Sequence, residues 1–525
     1  MSGRDADTIP HLARAAAARF GSAEAVVDGA LRLSFVELAA GMMRAAAAFV
    51  AAGLRPGDRV ALWAPNSADW IVACLGIQAA GGILVPLNTR FRSTETQFIL
   101  NRSRARFLVT IGAFLGTDYP ALLHGLELPA LKRRIVLQQP GPEGWEAFLD
   151  QAGPESRAEA EQRLNGLSAE DVSDIIFTSG TTGEPKGVVT GHGQTVSVAR
   201  LWAAVTTLGA RDRFLILWPF FHCSGYKAGW VACLAVGAAI LPEPTLDVPR
   251  LVETVRREAV TFLPGPPTLF QTLLAMPDRP PGLLAAIRVS ITGAASVAPA
   301  LIEAMRHELG IPMVLTGYGL TEACGTCTMT GPADSPEIVT TSCGRALDGI
   351  ELRVVDTTGR DVPLGTEGEI LCRGMNVMRG YFDDEAATRA AIDADSWLHT
   401  GDIGTLDAAG YLRITDRKKD MYICGGFNCY PAEIEKILLQ HPAIAQVAVA
   451  GAPDPRMGEV GIAYVVTRPG AVCSADEIIA WSRDHMANYK APRHIVFLPS
   501  LPTNATGKVQ KFLLPTPQRV PADVR

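Results

Sequence analysis

The sequence predicts an α/β fold: a large N-terminal α/β domain with a β-rich subdomain, then a small α+β C-terminal domain. Three observations point there. Over roughly the first 170 residues, helix-like and strand-like patterns alternate, as in a largely parallel sheet. After about residue 340 the texture shifts to short β segments. Beyond the charged stretch "TDRKKD" (415–420), about 100 residues carry their own strands and helices, enough for a small domain. The expected boundaries are 1–415 for the first domain, 416–420 for a hinge and 421–525 for the second.

Each element has a local reason. In "SFVELAAGMMRAAAAFVAAGL" (34–54), Ser34 is placed to cap a helix, with Glu37 three residues on and Gly53 near the end. "DRVALWAPN" (58–66) is a buried strand, "SADWIVACLGIQAAGG" (67–82) a helix, and "ILVPLN" (83–88) and "RFLVT" (106–110) are further strands. The polar segment 137–170 is expected to be a surface excursion. "DIIFTSG" (174–180), "ITGAA" (291–295) and "MVLTGYG" (313–319) are apolar runs ending in small residues, which suit close approach of backbone to a ligand. "IELRVVD" (350–356), "GEILCRG" (368–374) and "GYLRITD" (410–416) make the β-rich part. A helix (432–440), two strands (445–453 and 461–467) and a second helix (475–487) make the last domain.

Composition narrows the function. At 525 residues the chain exceeds one ordinary hydrophobic core. It is 48% hydrophobic and 19% charged, with a net charge of −6, which argues against capture of nucleic acid or an anionic membrane. The N-terminal stretch lacks a signal-peptide pattern, and no run approaches the ~18 apolar residues of a membrane span. A cytoplasmic protein is expected. Ten cysteines are too sparse for a disulfide scaffold. The C-x-x-C of Cys324 and Cys327 has no second half for a metal set, so both are expected as small buried residues near a pocket.

The loop "TSGTTGEPKG" (178–187) carries the first chemical signal. It is not a P-loop, since Gly187 rather than Ser or Thr comes after its lysine. A phosphate cradle is still favoured over a flexible surface loop. Backbone N–H groups around Gly180 and Gly183 can form an anion nest, Ser179, Thr181 and Thr182 add hydroxyls, and Lys186 adds charge.

This loop resembles the signature of the ATP-dependent adenylate-forming superfamily, and so do five later motifs in order: "PFFHCSG" (219–225), "TGYGLTE" (316–322), "HTGDIG" (399–404), "DRKKDMYICGGFNCYPAEIE" (416–435) and "PTNATGKVQK" (502–511). The resemblance covers residues from about 20 to 511. It implies an acyl-CoA synthetase-like fold with a mobile C-terminal domain, using ATP, Mg²⁺ and CoA. Carboxylate and ATP would give acyl-AMP and pyrophosphate, and a thiol would then take the acyl group.

The resemblance also implies roles. Thr178 opens the phosphate loop; Tyr318 would stack on adenine within Thr316–Gly319 (with Gly317), beside a small-residue wall of Gly293, Ala294 and Ala295. Thr321 would bond a phosphate, Glu322 hold Mg²⁺, and Asp402 and Arg417 reach the ribose. Lys508 matches the adenylation lysine, whose ammonium would stabilise charge growing on the α-phosphate. Lys419 aligns with the hinge about which the small domain would rotate, bringing Gly425, Gly426, Phe427 and Asn428 towards the site for CoA.

His222 stands where amino-acid-activating relatives place an aspartate, so an ammonium-bearing substrate is disfavoured. It resembles the gate between acyl pocket and ATP, with a structural histidine as the alternative. The acyl pocket is expected around Phe221, His222, Tyr226, Lys227, Gly293, Thr316, Gly317, Cys324 and Gly325, a set suited to a compact or cyclic acid. Lys227 either faces that pocket, meeting a polar group such as a ketone, or snorkels to the surface. Stretches such as "FFHCSGYKAG" and "NVMRGYFDDEAATRAAIDADSWLHTGDIG" are especially similar to bacterial steroid-degradation CoA ligases, which activate a propanoate on a methyl-hexahydroindanedione. A medium-chain fatty or aryl acid is the alternative. A P-loop kinase or ATPase and a non-ligase adenylate-forming enzyme are more remote. Whether two copies form a homodimer is left open by the sequence.

Overall fold

The computed structural model describes residues 6–178, 184–277, 279–280, 282–292, 299–356, 358–417, 422–429, 431–502, 509, 511 and 514–515. The chain divides into two compact units. The first comprises Met1–Thr89, Leu100–Phe177 and Gly187–Asp416; the second comprises Arg90–Ile99, Thr178–Lys186 and Arg417–Arg525.

The main sheet of the first unit has seven strands among the described residues. Across it lie Gly380–Tyr381, Lys186–Gly191, Val172–Thr178, Ile83–Pro86, Arg59–Trp63, Phe107–Ile111 and Arg133–Leu137. From Val172–Thr178 onward the pairing is parallel, with Leu84 opposite Asp174, Val60 opposite both Leu84 and Phe107, and Phe107 opposite Arg133. Helices cross between these strands, which is why the strands are apolar on both faces. The edge strand Gly380–Tyr381 is antiparallel to its neighbour. A second sheet holds Arg213–Ile216, Ala239–Pro242, Glu24–Asp28 and Leu31–Ser34. Through single bridges at Phe262 it continues into the parallel pair Val289–Ile291 and Met313–Leu315. The β-rich part is the sheet of Ile350–Val355, Gly368–Gly374, Leu398–Leu406 and Leu412–Arg417.

The helix Phe35–Ala51 forms as its local signals require. Ser34 Oγ accepts from the Glu37 N–H at 3.2 Å while Glu37 accepts from the Ser34 N–H at 2.8 Å, a reciprocal cap. Ser67 caps the next helix, Ala68–Ala79, by accepting from the Trp70 N–H at 3.1 Å. The segment 137–170 differs from expectation. It contains the helices Trp145–Leu149 and Pro154–Gly166, and Trp145, Phe148, Ala160 and Leu164 are buried. A few well-spaced apolar side chains anchor a helix whose other positions are polar, so the overall polarity misleads.

Two features of the core fix the backbone that leads into His222. Trp70 meets the rings of Phe220, Tyr226 and Trp230 at centroid distances of 5.4, 6.1 and 6.2 Å, edge to face. Buried Asn66 donates to the carbonyls of Ile216, Trp218 and Glu243 and accepts from the Phe220 N–H at 2.7 Å.

In the second unit, strands Phe427–Cys429, Tyr422–Cys424, Gly458–Thr467 and Ile444–Asp454 form a sheet, with His494–Phe497 parallel to Gly458–Thr467. Helices Pro431–Leu438 and Ala475–His485 complete an α+β unit around Ile434, Leu438, Val449, Ala463 and Ile478. Among the described residues no helix is long and apolar enough to cross a membrane.

Candidate active site

The strand Met313–Leu315 delivers the chain to Thr316, which is clasped by Thr330, the residue after the short strand Thr328–Met329. The Thr316 N–H donates to Thr330 Oγ1 at 2.9 Å, and the Thr330 N–H donates to Thr316 O at 2.9 Å. Gly317 and Tyr318 then pair antiparallel with Met329 and Thr328. The Tyr318 hydroxyl donates to Asp402 Oδ2 at 2.7 Å, and both side chains are buried. Burial, with the Asp402 carboxylate as the second cause, pushes the Tyr318 phenol far above its ordinary pKa, so it stays a donor. The residues expected at adenine and at ribose are thus joined directly.

After Tyr318 the backbone doubles back. A Cβ on Gly319 would lie 2.2 Å from Gly325 O, so the two arms of the turn touch at glycine. Thr321–Ala323 is one turn of 3₁₀ helix, and Cys324 then takes the left-handed conformation at φ +55°. A non-glycine residue held there stores strain that its surroundings must hold. Glu322, half-buried, accepts from the Tyr381 hydroxyl at 3.0 Å, and its carbonyl accepts from the Met378 N–H at 2.8 Å. A carboxylate on the residue after Thr321 suits a hard cation that arrives with a polyphosphate. Among the described residues no cluster of three His, Cys, Asp or Glu could hold a metal by itself.

His222 caps the short helix Cys223–Gly225, its Nδ1 accepting from the Ser224 N–H at 3.3 Å and lying 2.9 Å from Ser224 Oγ. That bond leaves the proton on Nε2. The side chain is exposed, yet surrounding protein pushes its pKa below 6.5 by desolvation. Solvent contact within protein mass is what a cleft wall has, and the ring is neutral at pH 7. Phe221, Gly317 and Gly325 also keep partial exposure.

The rest of the expected pocket set is inside the core. Tyr226 is fully buried, stacked on Trp230 at 5.2 Å, with its hydroxyl accepting from Gln78 Nε2 at 2.7 Å. Its ring fills the gap beside Trp70, so it is not an open pocket wall. Thr316 and Cys324 are buried as well. The snorkelling expectation for Lys227 is overturned: its exposure is 0%. Its ammonium pairs with Asp174 Oδ1 at 3.0 Å and donates to Thr190 Oγ1 at 2.7 Å and Cys324 Sγ at 3.5 Å. Asp174 in turn accepts from Thr190 Oγ1 at 2.7 Å and Ser173 Oγ at 2.6 Å. Burial pulls the Lys227 pKa down, and the adjacent Asp174 carboxylate more than reverses this, leaving it above its ordinary value.

In the second unit the strands Tyr422–Cys424 and Phe427–Cys429 form a hairpin turned by Gly425 and Gly426 at φ +58° and +83°. Two successive positive φ values favour glycine in a two-residue hairpin turn. Phe427 stacks on Tyr489 at 4.6 Å, and the Asn428 backbone pairs with Ile423. Thr178 ends its strand and Lys186 begins the next. The backbone of Arg417 closes the strand Leu412–Arg417. Ser179, Gly180, Thr181, Thr182, Gly183, Gly293, Ala294, Ala295, Lys419 and Lys508 lie outside the described residues.

Four further positions, Asn66, Asp174, Thr190 and Tyr381, contact these residues or their strands from outside the six motifs, although Tyr381 falls in the stretch "NVMRGYFDDEAATRAAIDADSWLHTGDIG". One carries a usable sequence signal. Asp174 is a carboxylate inside an apolar strand, and a buried charge requires a partner. The other three have no local pattern.

The AMP-binding enzyme family model matches residues 13–382, and the AMP-binding enzyme C-terminal domain model matches 433–508. The chain is 48% identical over 515 residues to a 3-[(3aS,4S,7aS)-7a-methyl-1,5-dioxo-octahydro-1H-inden-4-yl]propanoyl:CoA ligase of Rhodococcus jostii, covering 97% of this chain and 98% of that one. A Mycobacterium tuberculosis ligase of the same description is 48% identical over 481 residues, covering 91% and 93%. Among solved structures, a double mutant of the Bacillus subtilis o-succinylbenzoate CoA synthetase, bound with a product analogue, superposes with a TM-score of 0.81. It is 30% identical, covering 96% of this chain and 98% of that one.

Proposed function

The chain belongs to the AMP-binding enzyme family and is an AMP-forming acyl-CoA ligase, and we propose that its acid is a propanoate carried on a methyl-substituted hydroindanedione ring system. What carries the proposal is 48% identity, sustained over 97% of the chain, with a ligase named for that acid. The gate position agrees with an acid lacking an α-ammonium. His222 is neutral at pH 7 and cannot replace the carboxylate that a buried ammonium needs.

The residues divide the work between two half-reactions. Asp402, oriented by Tyr318, accepts from the ribose hydroxyls. The 178–187 loop holds the β- and γ-phosphates while Thr321 bonds phosphate oxygen. Glu322 would hold the Mg²⁺ that accompanies ATP, which would supply neutralisation of phosphate charge. Lys508 stabilises the charge that grows at the α-phosphate as the carboxylate attacks, and pyrophosphate leaves. The small domain then turns about Lys419. The bare Gly425–Gly426 turn admits the pantetheine arm, the thiol attacks the acyl carbonyl, and AMP leaves. ATP and CoA as co-substrates suit a cytoplasmic setting.

The test is pyrophosphate release with CoA omitted, across a panel of acids, and then CoA consumption on the acids that respond. The hydroindanedione propanoate is expected to give the highest kcat/KM. Preference for a medium-chain fatty or aryl acid would overturn the assignment.

A further inference from the structure

Lys227 is unused by either half-reaction, yet it is a heavily engaged buried cation of the first unit. An ammonium has three hydrogens. Here Asp174, Thr190 and Cys324 take all three, at 3.0, 2.7 and 3.5 Å. None remains for a ketone of the acid, and with 0% exposure the side chain borders no open space. Its role must lie in what it joins.

The three partners sit on three separate segments. Asp174 is on Val172–Thr178, the strand that enters the phosphate loop. Thr190 is on Lys186–Gly191, the strand that leaves it. Cys324 comes directly after the 3₁₀ turn carrying Thr321 and Glu322, and its backbone is held left-handed at φ +55°. Thr195, on the helix His192–Val205, supports the same thiol at 3.8 Å. Lys227 itself rides on a π-helical turn, Tyr226–Val231, in which Gly229 departs from helical angles at φ −97°, ψ −106°. Such turns recur at functional sites because they re-aim a side chain within a helix.

We propose that Lys227 is a positioning residue for the nucleotide: through Asp174, Thr190 and Cys324 it ties both stems of the phosphate loop to the Thr321–Glu322 turn. A buried ion pair is a poor source of stability, since desolvation offsets its attraction. Its value is geometric, because a charged three-way bond fixes distances that apolar packing leaves adjustable. The inference rests on the adenylation chemistry of the site and does not depend on which acid is used.

Binding of MgATP, measured by calorimetry without acid or CoA, isolates this role from substrate choice. Three variants serve. Lys227→Met removes the cation but strands the Asp174 carboxylate, so it risks unfolding. Lys227→Met combined with Asp174→Asn removes both charges and keeps hydrogen-bonding groups for Ser173 and Thr190. Cys324→Ala cuts the third arm, together with the Thr195 contact, and leaves the ion pair whole. The double variant is expected to melt close to wild type and to bind MgATP roughly 10- to 100-fold more weakly, the size of loss usual when the partners that orient a ligating site are removed. Cys324→Ala should weaken MgATP by about threefold or more, with KM for the acid within about twofold of wild type. Unchanged MgATP affinity in folded variants would overturn the proposal. So would a rise in the acid's KM with MgATP binding intact, which would make Lys227 a reader of the acid. Failure of wild type to favour the hydroindanedione acid would instead sink only the substrate assignment, since MgATP binding is measured without it.

Discussion

The Tyr318 hydroxyl donates to Asp402 Oδ2 at 2.7 Å across 84 residues of sequence. A ring suited to adenine and a carboxylate suited to ribose are thereby held as one unit. In the proposed nucleotide site the bond would orient the carboxylate before the nucleotide arrives and lower the cost of ordering it on binding.

Tyr318→Phe keeps the ring and removes the donor. A hydrogen bond to a charged group contributes about 1.5–3 kcal/mol, so kcat/KM for ATP should fall by roughly tenfold or more. KM for CoA should stay near wild type. Steady-state pyrophosphate release at varied ATP measures this, and an unchanged kcat/KM would show that the carboxylate needs no such support.

Tyr381→Phe tests the support behind the carboxylate proposed to hold Mg²⁺, because the Tyr381 hydroxyl donates to Glu322 Oε1 at 3.0 Å. Partners of metal ligands are typically worth roughly 10- to 100-fold in metal affinity or activity. The Mg²⁺ concentration for half-maximal pyrophosphate release should rise by about tenfold. Excess Mg²⁺ should restore most of the rate.

Lys508→Ala separates the half-reactions. Acyl-AMP formation should fall by at least ~10²–10³, while thioester formation from supplied acyl-AMP and CoA stays within about twofold. Equal loss in both would overturn the alternation of the small domain.

His192 gives a pH dependence. It is buried, its Nδ1 accepts from the Ile9 N–H at 3.4 Å, and burial lowers its pKa to about 4. The unfolded chain, with an ordinary histidine pKa of 6.5, therefore binds more protons than the folded chain between pH 6.5 and 4. Stability must rise with pH across that window and be lost as pH falls through it, by on the order of 3 kcal/mol. Glu243, raised to about 7 chiefly by burial, titrates in the opposite sense, so the useful quantity is a difference. His192→Asn keeps an acceptor for Ile9 and removes the titration. From pH 7 to pH 4 wild type should lose more Tm than this variant, and parallel losses would refute the assignment.

How much was legible depended on whether the cause was local. The helix Phe35–Ala51 was legible because Ser34 and Glu37 form a cap within one turn. The Gly425–Gly426 hairpin turn was not read from the sequence, because its flanking strands are only three residues each and show no clear alternation. The helix Pro154–Gly166 was not legible, because its anchors Ala160 and Leu164 are too few to outweigh its polar positions. Lys227 was half-legible: an uncommon lysine in an apolar segment stood out, but its destination did not.

The sequence by itself determined the reaction class, the order of motifs and the two-part α/β and α+β plan. The plan comes from hydrophobic periodicity and the motifs from residue types at short fixed spacing, both local properties of the chain, while the reaction class comes from the resemblance of those motifs to a known family. Only the tertiary structure decided which expected pocket residues are core, and which unremarked ones hold the site in place. Tyr226 went to the aromatic core beside Trp70. Lys227 went to Asp174, 53 residues earlier, with Thr190 and Cys324. Asn66 went to the backbone ahead of His222. Each is a contact between distant segments, made because a buried charge or amide must find partners wherever the fold brings them, and no local pattern records where that will be.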